Sequence, residues 1–392
     1  MPNLNQLKAA LFAPGPEGFW GLPLLLWGDP GVGKTAMLAA AGKRFGLPYY
    51  RISPGERGEG QFGVVPVPGT DGFLHYPAPD WVKVLEKGGI LFVDEINTAV
   101  HAVQSALLGL VQLRTIGSYQ FGNRVRTFGA ANETIDAAGG WNLPNSVNNR
   151  FGHLPFEGLG VDDWITGFIG GFGSEEGEVI DAEAEERRVL AAWPEANARA
   201  RGQVAGFIQR RPDLLHTKPL KGAGIRSWPS RRSVEYTACA LASSEVHHLT
   251  ESESDEFSGA FAGAPWMGEF ASWRQNADLP DFVAVVDRKA KFAHSVRRLD
   301  RTMAVLTGCV AVAKDTVIRP GKDGEADTAK RKARAGVCWE LLGDVMKDAA
   351  DVAVPAARVL VKTKLFGAAV PESRPLLVKI QPILAAAGIE AV

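Results

Sequence analysis

Eight residues near the start of the chain could grip a phosphate. Gly28-Asp29-Pro30-Gly31-Val32-Gly33-Lys34-Thr35 fits the pattern G-x-x-x-x-G-K-[ST]. Glycines at 28, 31 and 33 let the backbone curl so that successive N–H groups face an anion. A helix starting near Lys34 adds the positive end of its dipole. The Lys34 ammonium places a charge on the β- and γ-phosphates of a nucleotide. The Thr35 hydroxyl suits the coordination shell of Mg²⁺.

A second group of residues supplies acids. Gly89-Ile90-Leu91-Phe92-Val93-Asp94-Glu95 reads as a fully buried parallel strand ending in two carboxylates. Open α/β sheets place their ligands at such C-terminal strand ends. Asp94 would hold Mg²⁺ directly or through water, and Glu95 would orient and polarise an attacking water. Asn132 ends a further apolar strand. It either holds the lytic water or γ-phosphate beside the acids, or caps the segment that follows. Arg150 ends a short helix. It either reaches the γ-phosphate of a neighbouring subunit or caps its own helix. Arg231 and Arg232 stand at the start of a helix opened by Ser230, where a cation opposes the dipole unless an anion lies nearby.

These residues need a frame. Leu22 to Trp27 reads as a buried strand, Ala36 to Arg44 as a helix, and Pro48 to Ser53 as a second strand. The stretch 61–76 reads as an exposed hairpin around Gly69-Thr70-Asp71-Gly72, since Pro66 and Pro68 exclude a central strand. Ala78 to Lys87 is expected to be an amphipathic helix. A second hairpin is expected over 114–126 with its turn at Gly122-Asn123, leading into the strand that ends at Asn132. Ser174 to Glu186 is rich in acids and glycine and reads as exposed. Arg187 to Ile208 reads as helical on either side of Pro194, and Leu220 to Gly224 as a linker. From Trp228 onward helices dominate, interrupted by a polar loop from Asp315 to Asp327. Lys330, Arg331, Lys332 and Arg334 read as a solvated helix face.

Composition narrows the classes. The 392 residues are enough for two or three domains. With 43 Lys+Arg against 44 Asp+Glu, a wholly basic nucleic-acid-coating surface is excluded, though a local basic groove is not. Three scattered cysteines suggest reduced thiols in a cytoplasmic protein rather than a disulfide frame. His247 and His248 are adjacent and point to different sides of a helix, and no Cys/His spacing suits a metal. The apolar run Phe19 to Trp27 is too short to span a bilayer.

The order of these features resembles the AAA+ ATPases, and within them the MoxR-like group. The similarity is carried by Gly28 to Thr35, Phe92-Val93-Asp94-Glu95-Ile96-Asn97, Gln104 to Leu108, Ala130-Ala131-Asn132, Leu143-Pro144 and Asn149-Arg150-Phe151. The resemblance implies an α/β fold: a P-loop parallel sheet core, a helical lid and a C-terminal helical extension. It implies Walker A at 28–35, Walker B at Asp94 and Glu95, sensor 1 at Asn132, an arginine finger at Arg150 and sensor 2 at Arg232. Arg231 stands where the group carries proline, which leaves Arg231 open as an alternative for sensor 2. The hairpins at 61–76 and 114–126 resemble the helix-2 insertion and the pre-sensor-1 hairpin. The implied organisation is a core over 1–160, an acidic insertion or linker over 161–220, a lid over 221–310 and an extension over 311–392. ATP and Mg²⁺ are the implied cofactors. A homo-oligomeric ring, commonly a hexamer, is the implied assembly, acting on a protein substrate with a von Willebrand factor A-domain partner. Phe73, Tyr119 and Phe121 are the hairpin residues expected to meet a partner. Competing readings are a nucleic-acid-stimulated NTPase motor, a metal-chelatase motor subunit, and a scaffold that binds ATP to assemble and rarely hydrolyses it.

Overall fold

The computed structural model describes residues 4–56, 59–132, 143–170, 179–217, 226–314 and 328–361. The expected Leu220–Gly224 linker, the Asp315–Asp327 loop, Ser174 to Gly177 and the tail beyond Val361 lie outside the described residues. The chain divides into two compact units. Among the described residues the first takes 4–191 and 217–265, and the second 192–216, 266–314 and 328–361.

Among the described residues the first unit has nine strands: β1 (Leu24–Trp27), β2 (Tyr49–Ile52), β3 (Val67–Pro68), β4 (Leu74–His75), β5 (Gly89–Val93), β6 (Thr115–Ile116), β7 (Tyr119–Gln120), β8 (Val125–Ala131) and β9 (Gly152–Pro155). Five of them make one parallel sheet in the order β2-β5-β8-β1-β9. Every residue of β1, β5 and β8 is buried. That is why these strands read as unbroken apolar runs: helices cover both faces of a parallel sheet. Its helices are α1 (Leu4–Phe12), α2 (Lys34–Arg44), α3 (His101–Leu113), α4 (Asn145–Asn148), α5 (Val161–Gly170), the first residues of α6 (Ala182–Arg210), α7 (Arg231–Val246) and α8 (Glu251–Ala262). Two capping boxes start the last pair, Ser230 with Ser233 and Thr250 with Glu253, each satisfying two otherwise orphaned N–H groups.

One charged residue stands inside β8, beside the buried Thr127. Arg126 is fully buried, stacked between the rings of Phe12 and Trp20. Its Nε donates to Leu11 O at 2.9 Å, one terminal nitrogen to Arg124 O at 2.8 Å, and the other to Glu186 Oε1 at 2.6 Å. The neighbouring Glu185, also buried, meets Lys8 at 2.9 Å and Arg188 at 2.7 Å. The acids at the end of the expected exposed stretch are therefore interior counter-charges for the core. The reason is Arg126 itself, which cannot be buried without a carboxylate.

Several local expectations are corrected. The helix expected over Ala78–Lys87 is a short 3₁₀ piece, Asp80–Leu85, hemmed between Pro79 and Gly88. The second hairpin turns at Gly117-Ser118, between β6 and β7, not at Gly122-Asn123. Gly117 has φ 53°, and a Cβ there would stand 2.5 Å from Tyr76 O. Phe121 is buried, stacked on Trp81, while Phe73 at the first hairpin is 71% exposed. The helix α6 runs through Pro194 without a break.

The second unit holds the rest of α6, then α9 (Ala264–Ala277, from Trp266), α10 (Phe282–Val286), α11 (Leu299–Lys314), α12 (Thr328–Val345) and α13 (Ala350–Val361). Its core gathers Phe282, Val305, Cys309, Cys338, Trp339, Leu342 and Leu360. Arg334 is not part of a solvated face. It forks onto Asp287, Nε to Oδ1 at 2.7 Å and a terminal nitrogen to Oδ2 at 2.9 Å. All three cysteines are buried and free. Among the described residues no helix is long and apolar enough to cross a membrane.

Candidate functional site

The C-terminal ends of β1, β5 and β8 lie side by side in the sheet, and the glycine-rich loop, Asp94 and Asn132 follow them in turn. After β1 comes the loop 28–33, with Gly33 at φ 98° leading into α2. A Cβ on Gly28 would stand 2.0 Å from Phe156 O, whereas Gly31 and Gly33 have nothing within 4 Å of theirs. The loop is thus pressed against the core at its base and open at its crest, the shape a phosphate cradle needs.

Lys34 and Thr35, the first residues of α2, reach the other two strand ends. Lys34 Nζ donates to Gly28 O at 2.7 Å, Asp29 O at 2.9 Å and Asn132 Oδ1 at 2.9 Å. Burial lowers its pKa, opposed by the charges of Asp94, Asp29 and Glu95. Thr35 Oγ1 donates to Asp94 Oδ2 at 2.7 Å. Asp94 is fixed from behind, its own N–H donating to Ile52 O at 2.8 Å and the Glu95 N–H donating to its Oδ1 at 3.1 Å. Glu95 has φ 50° and ψ 44°, a left-handed conformation that costs a non-glycine residue on the order of 1 kcal/mol and that clusters at working sites. Asn132 is held by Asn97, whose Nδ2 donates to Asn132 O at 3.0 Å.

Two neighbouring oxygens of hard character, Thr35 Oγ1 and Asp94 Oδ2, suit Mg²⁺. Among the described residues no group of three or more His, Cys, Asp or Glu forms a cage. A site with two protein oxygens that leaves the remaining positions to phosphates and water is the usual provision for Mg²⁺.

Arg150 and Arg232 form a second cluster. Arg150 Nε donates to Gln112 Oε1 at 2.9 Å, and its terminal nitrogens donate to Gln112 Oε1 and Ser146 O. Burial and then the charge of Arg232 push its pKa down, with Tyr236 and Glu17 acting in the opposite direction. Ser230 Oγ, at the cap of α7, donates to Asn149 Oδ1 at 3.0 Å and ties the two turns together. Among the described residues no hydrogen bond joins this pair to Lys34, Thr35, Asp94 or Asn132.

Sequence reasoning missed three residues. Arg51 on β2 donates from Nε to Asp94 Oδ2 at 2.7 Å. A charge inside a four-residue edge strand was the signal. Gln112 gave none. His153 on β9 accepts at Nδ1 from Trp27 Nε1 at 2.8 Å, so its proton sits on Nε2, which donates to Asn148 O at 2.9 Å. Burial lowers its pKa to about 4, with Arg226 adding to the effect. Arg226 stacks 3.5 Å over the Trp27 ring, directly ahead of the loop.

Residues 24–153 match the model of the AAA family, the ATPases associated with various cellular activities. The match runs from the first residue of β1 into β9 and so takes in all five strands of the parallel sheet. Midasin from Giardia intestinalis is 30% identical over 158 residues, which are 36% of this chain and 3% of that protein's length. Among solved structures, a presumptive ATPase from Cytophaga hutchinsonii superposes with a TM-score of 0.42 at 13% identity, over 74% of this chain and 89% of that one. Over residues 24–153, the span of its parallel sheet, the chain is thus similar to the ATPase domain of the AAA family.

Proposed function

We propose that this chain is a MoxR-like ATPase that assembles into a homo-oligomeric ring, commonly a hexamer, and couples ATP hydrolysis to remodelling of a protein complex, with a von Willebrand factor A-domain protein as partner. The observation that carries the reading is the convergence of Lys34, Thr35, Asp94 and Asn132 at three adjacent strand ends. On this reading the loop N–H groups and Lys34 bind the β- and γ-phosphates. Mg²⁺, held by Thr35 and Asp94, would neutralise charge on the phosphate oxygens. Glu95 orients the attacking water and takes its proton, and Asn132 fixes the γ-phosphate or that water.

Arg150 and Arg232 stand apart from that cluster in their own chain. A ring gives them a role, because a neighbouring subunit can present its nucleotide to them and use their charge in the transition state. The charge of Arg232 acts against that of Arg150, with Glu17 opposing it, and an anionic ligand would relieve the repulsion further. Phe73, exposed at the tip of the β3–β4 hairpin, is the remaining candidate for contact with a partner, together with Tyr119.

The test is steady-state ATPase rate per subunit against protein concentration, with and without DNA. A rate that rises with concentration, disappears in Arg150→Ala and ignores DNA supports the ring-forming remodeller. Stimulation by DNA favours a nucleic-acid motor. A flat rate at low concentration means that one subunit suffices and that Arg150 does not act on a neighbour.

A further inference from the structure

Arg51 belongs to no phosphate or acid motif, yet it touches the acid at the centre of the site. It is the third residue of β2 and pairs in register with Phe92 of β5, the strand that runs on to Asp94. Its guanidinium lies between two carboxylates. Nε donates to Asp94 Oδ2 at 2.7 Å, and the two terminal nitrogens fork onto Glu56, at 2.9 Å to Oε2 and 2.8 Å to Oε1. The same Asp94 oxygen accepts from Thr35 Oγ1 at 2.7 Å.

A carboxylate oxygen offers two lone-pair directions. Here the guanidinium takes one and the threonine hydroxyl the other. A divalent cation held by Thr35 and Asp94 needs that oxygen, and its charge repels a guanidinium standing at the same atom. The threonine can comply by rotating its proton away, since its oxygen is the metal ligand. The arginine has no such option, because it has donors only. It must release Oδ2. The fork onto Glu56 provides the place to stay: both of those bonds lie at the far end of the guanidinium and survive a small pivot that withdraws Nε.

We propose that Arg51 is a positioning residue that competes with Mg²⁺ for Asp94 and so sets the metal demand of the nucleotide site, with Glu56 as the anchor that receives it when the cation binds. The proposal rests on the nucleotide-binding reading of the loop. It makes a signed prediction. Removing the competitor lowers the Mg²⁺ requirement. Removing the anchor raises it, because Asp94 is then the carboxylate left to Arg51 in this pairing.

The experiment measures binding of a fluorescent, non-hydrolysable ATP analogue while free Mg²⁺ is titrated, with Mn²⁺ binding followed by electron paramagnetic resonance as a direct metal readout. Full-length wild type, Arg51→Met, Arg51→Lys and Glu56→Gln are compared, each checked by its melting temperature. In Arg51→Met the half-saturating Mg²⁺ should fall on the order of tenfold, the size expected for one charge-assisted hydrogen bond. Arg51→Lys should lie between this and wild type, since an ammonium keeps the charge but cannot bridge both carboxylates. Glu56→Gln should raise the requirement. An unchanged or higher Mg²⁺ requirement in Arg51→Met overturns the proposal while nucleotide binding itself stands. A wild type that binds the analogue no better than Lys34→Ala overturns the nucleotide reading, and the proposal falls with it.

Discussion

Lys34 Nζ donates a 2.9 Å hydrogen bond to Asn132 Oδ1, joining the first residue of α2 to the residue just past β8 across 98 positions of sequence. The ammonium has three donors, and all three are committed: two to loop carbonyls and one to this amide. Asn132 thus fixes where the charge of Lys34 points. It is held in turn by Asn97, so the arrangement is rigid on both sides.

Asn132→Ala should therefore lower ATP turnover on the order of 100-fold, the loss typical of removing one preorganised polar group, with nucleotide affinity changed by only about threefold. Asn132→Asp should weaken nucleotide binding instead, because its carboxylate holds Lys34 as an ion pair and repels phosphate. Single-turnover kinetics beside equilibrium binding separates the two. A binding loss in the alanine variant equal to its turnover loss would show that Asn132 acts on the ground state.

The loop should respond to alanine according to which part is altered. At Gly28 a methyl group would stand 2.0 Å from Phe156 O, so Gly28→Ala forces the base of the loop off the sheet and should abolish nucleotide binding. At Gly33 the space is open but φ is 98°, and the expected cost is about 1–2 kcal/mol of strain with weakened binding. Calorimetric titration of ATP into both variants tests the difference, and equal losses would contradict it.

The buried Arg126 makes a stability prediction. Glu186→Ala leaves a fully buried guanidinium without its carboxylate and should cost about 3–5 kcal/mol. Glu183→Ala breaks a 2.8 Å pair with Arg124 in which both side chains are exposed, and should cost under about 1 kcal/mol. Urea unfolding of the two variants gives the comparison. Costs within about 1 kcal/mol of each other would mean that Arg126 finds another acceptor.

Much of the site was legible because its residues are dictated locally. The glycine pattern, Lys34 and Thr35 lie within eight residues, and Asp94 and Glu95 announce themselves as acids ending an apolar run. What stayed hidden depends on partners far away in sequence. Phe121 reads as a hairpin residue because Gly122-Asn123 is itself a good turn sequence; the pairing of Ile116 with Tyr119 puts the turn earlier, and the Phe121 ring stacks on Trp81. Glu185 and Glu186 looked solvated because their partners, Lys8 and Arg126, lie on α1 and β8. Arg51 and His153 gain their meaning from strand order alone, which places β2 beside β5 and β9 beside β1.

His153 should make the protein sensitive to mild acid. Its pKa is lowered to about 4 in the fold, from an unfolded value near 6.5. Above about pH 6.5 it is neutral in both states and the full stability is present. As pH falls from there towards 4, the unfolded chain takes up a proton that the native one refuses, and up to about 3 kcal/mol is lost. His247, lowered to about 3 chiefly by burial with Arg188 adding to it, acts in the same direction. His153→Gln removes one of the two titrations while keeping an acceptor for Trp27 and a donor for Asn148. Its unfolding free energy should fall less steeply than that of wild type between pH 7 and pH 5, and an identical slope would refute the assignment.

The position of Arg126 bears on how the domain can be inherited or transplanted. The matched stretch begins at residue 24 and ends at 153. Yet a guanidinium at the heart of its sheet is solvated by Leu11 O, flanked by Phe12 and Trp20, and neutralised by Glu186. Every one of those groups lies outside the motif-defined borders. Cut at those borders, the segment would keep its candidate site residues and lose the groups that let a charge sit in its interior. The modular boundary of this domain is therefore electrostatic. It encloses α1 and the start of α6, and any recombination that moves the candidate site intact must carry both along.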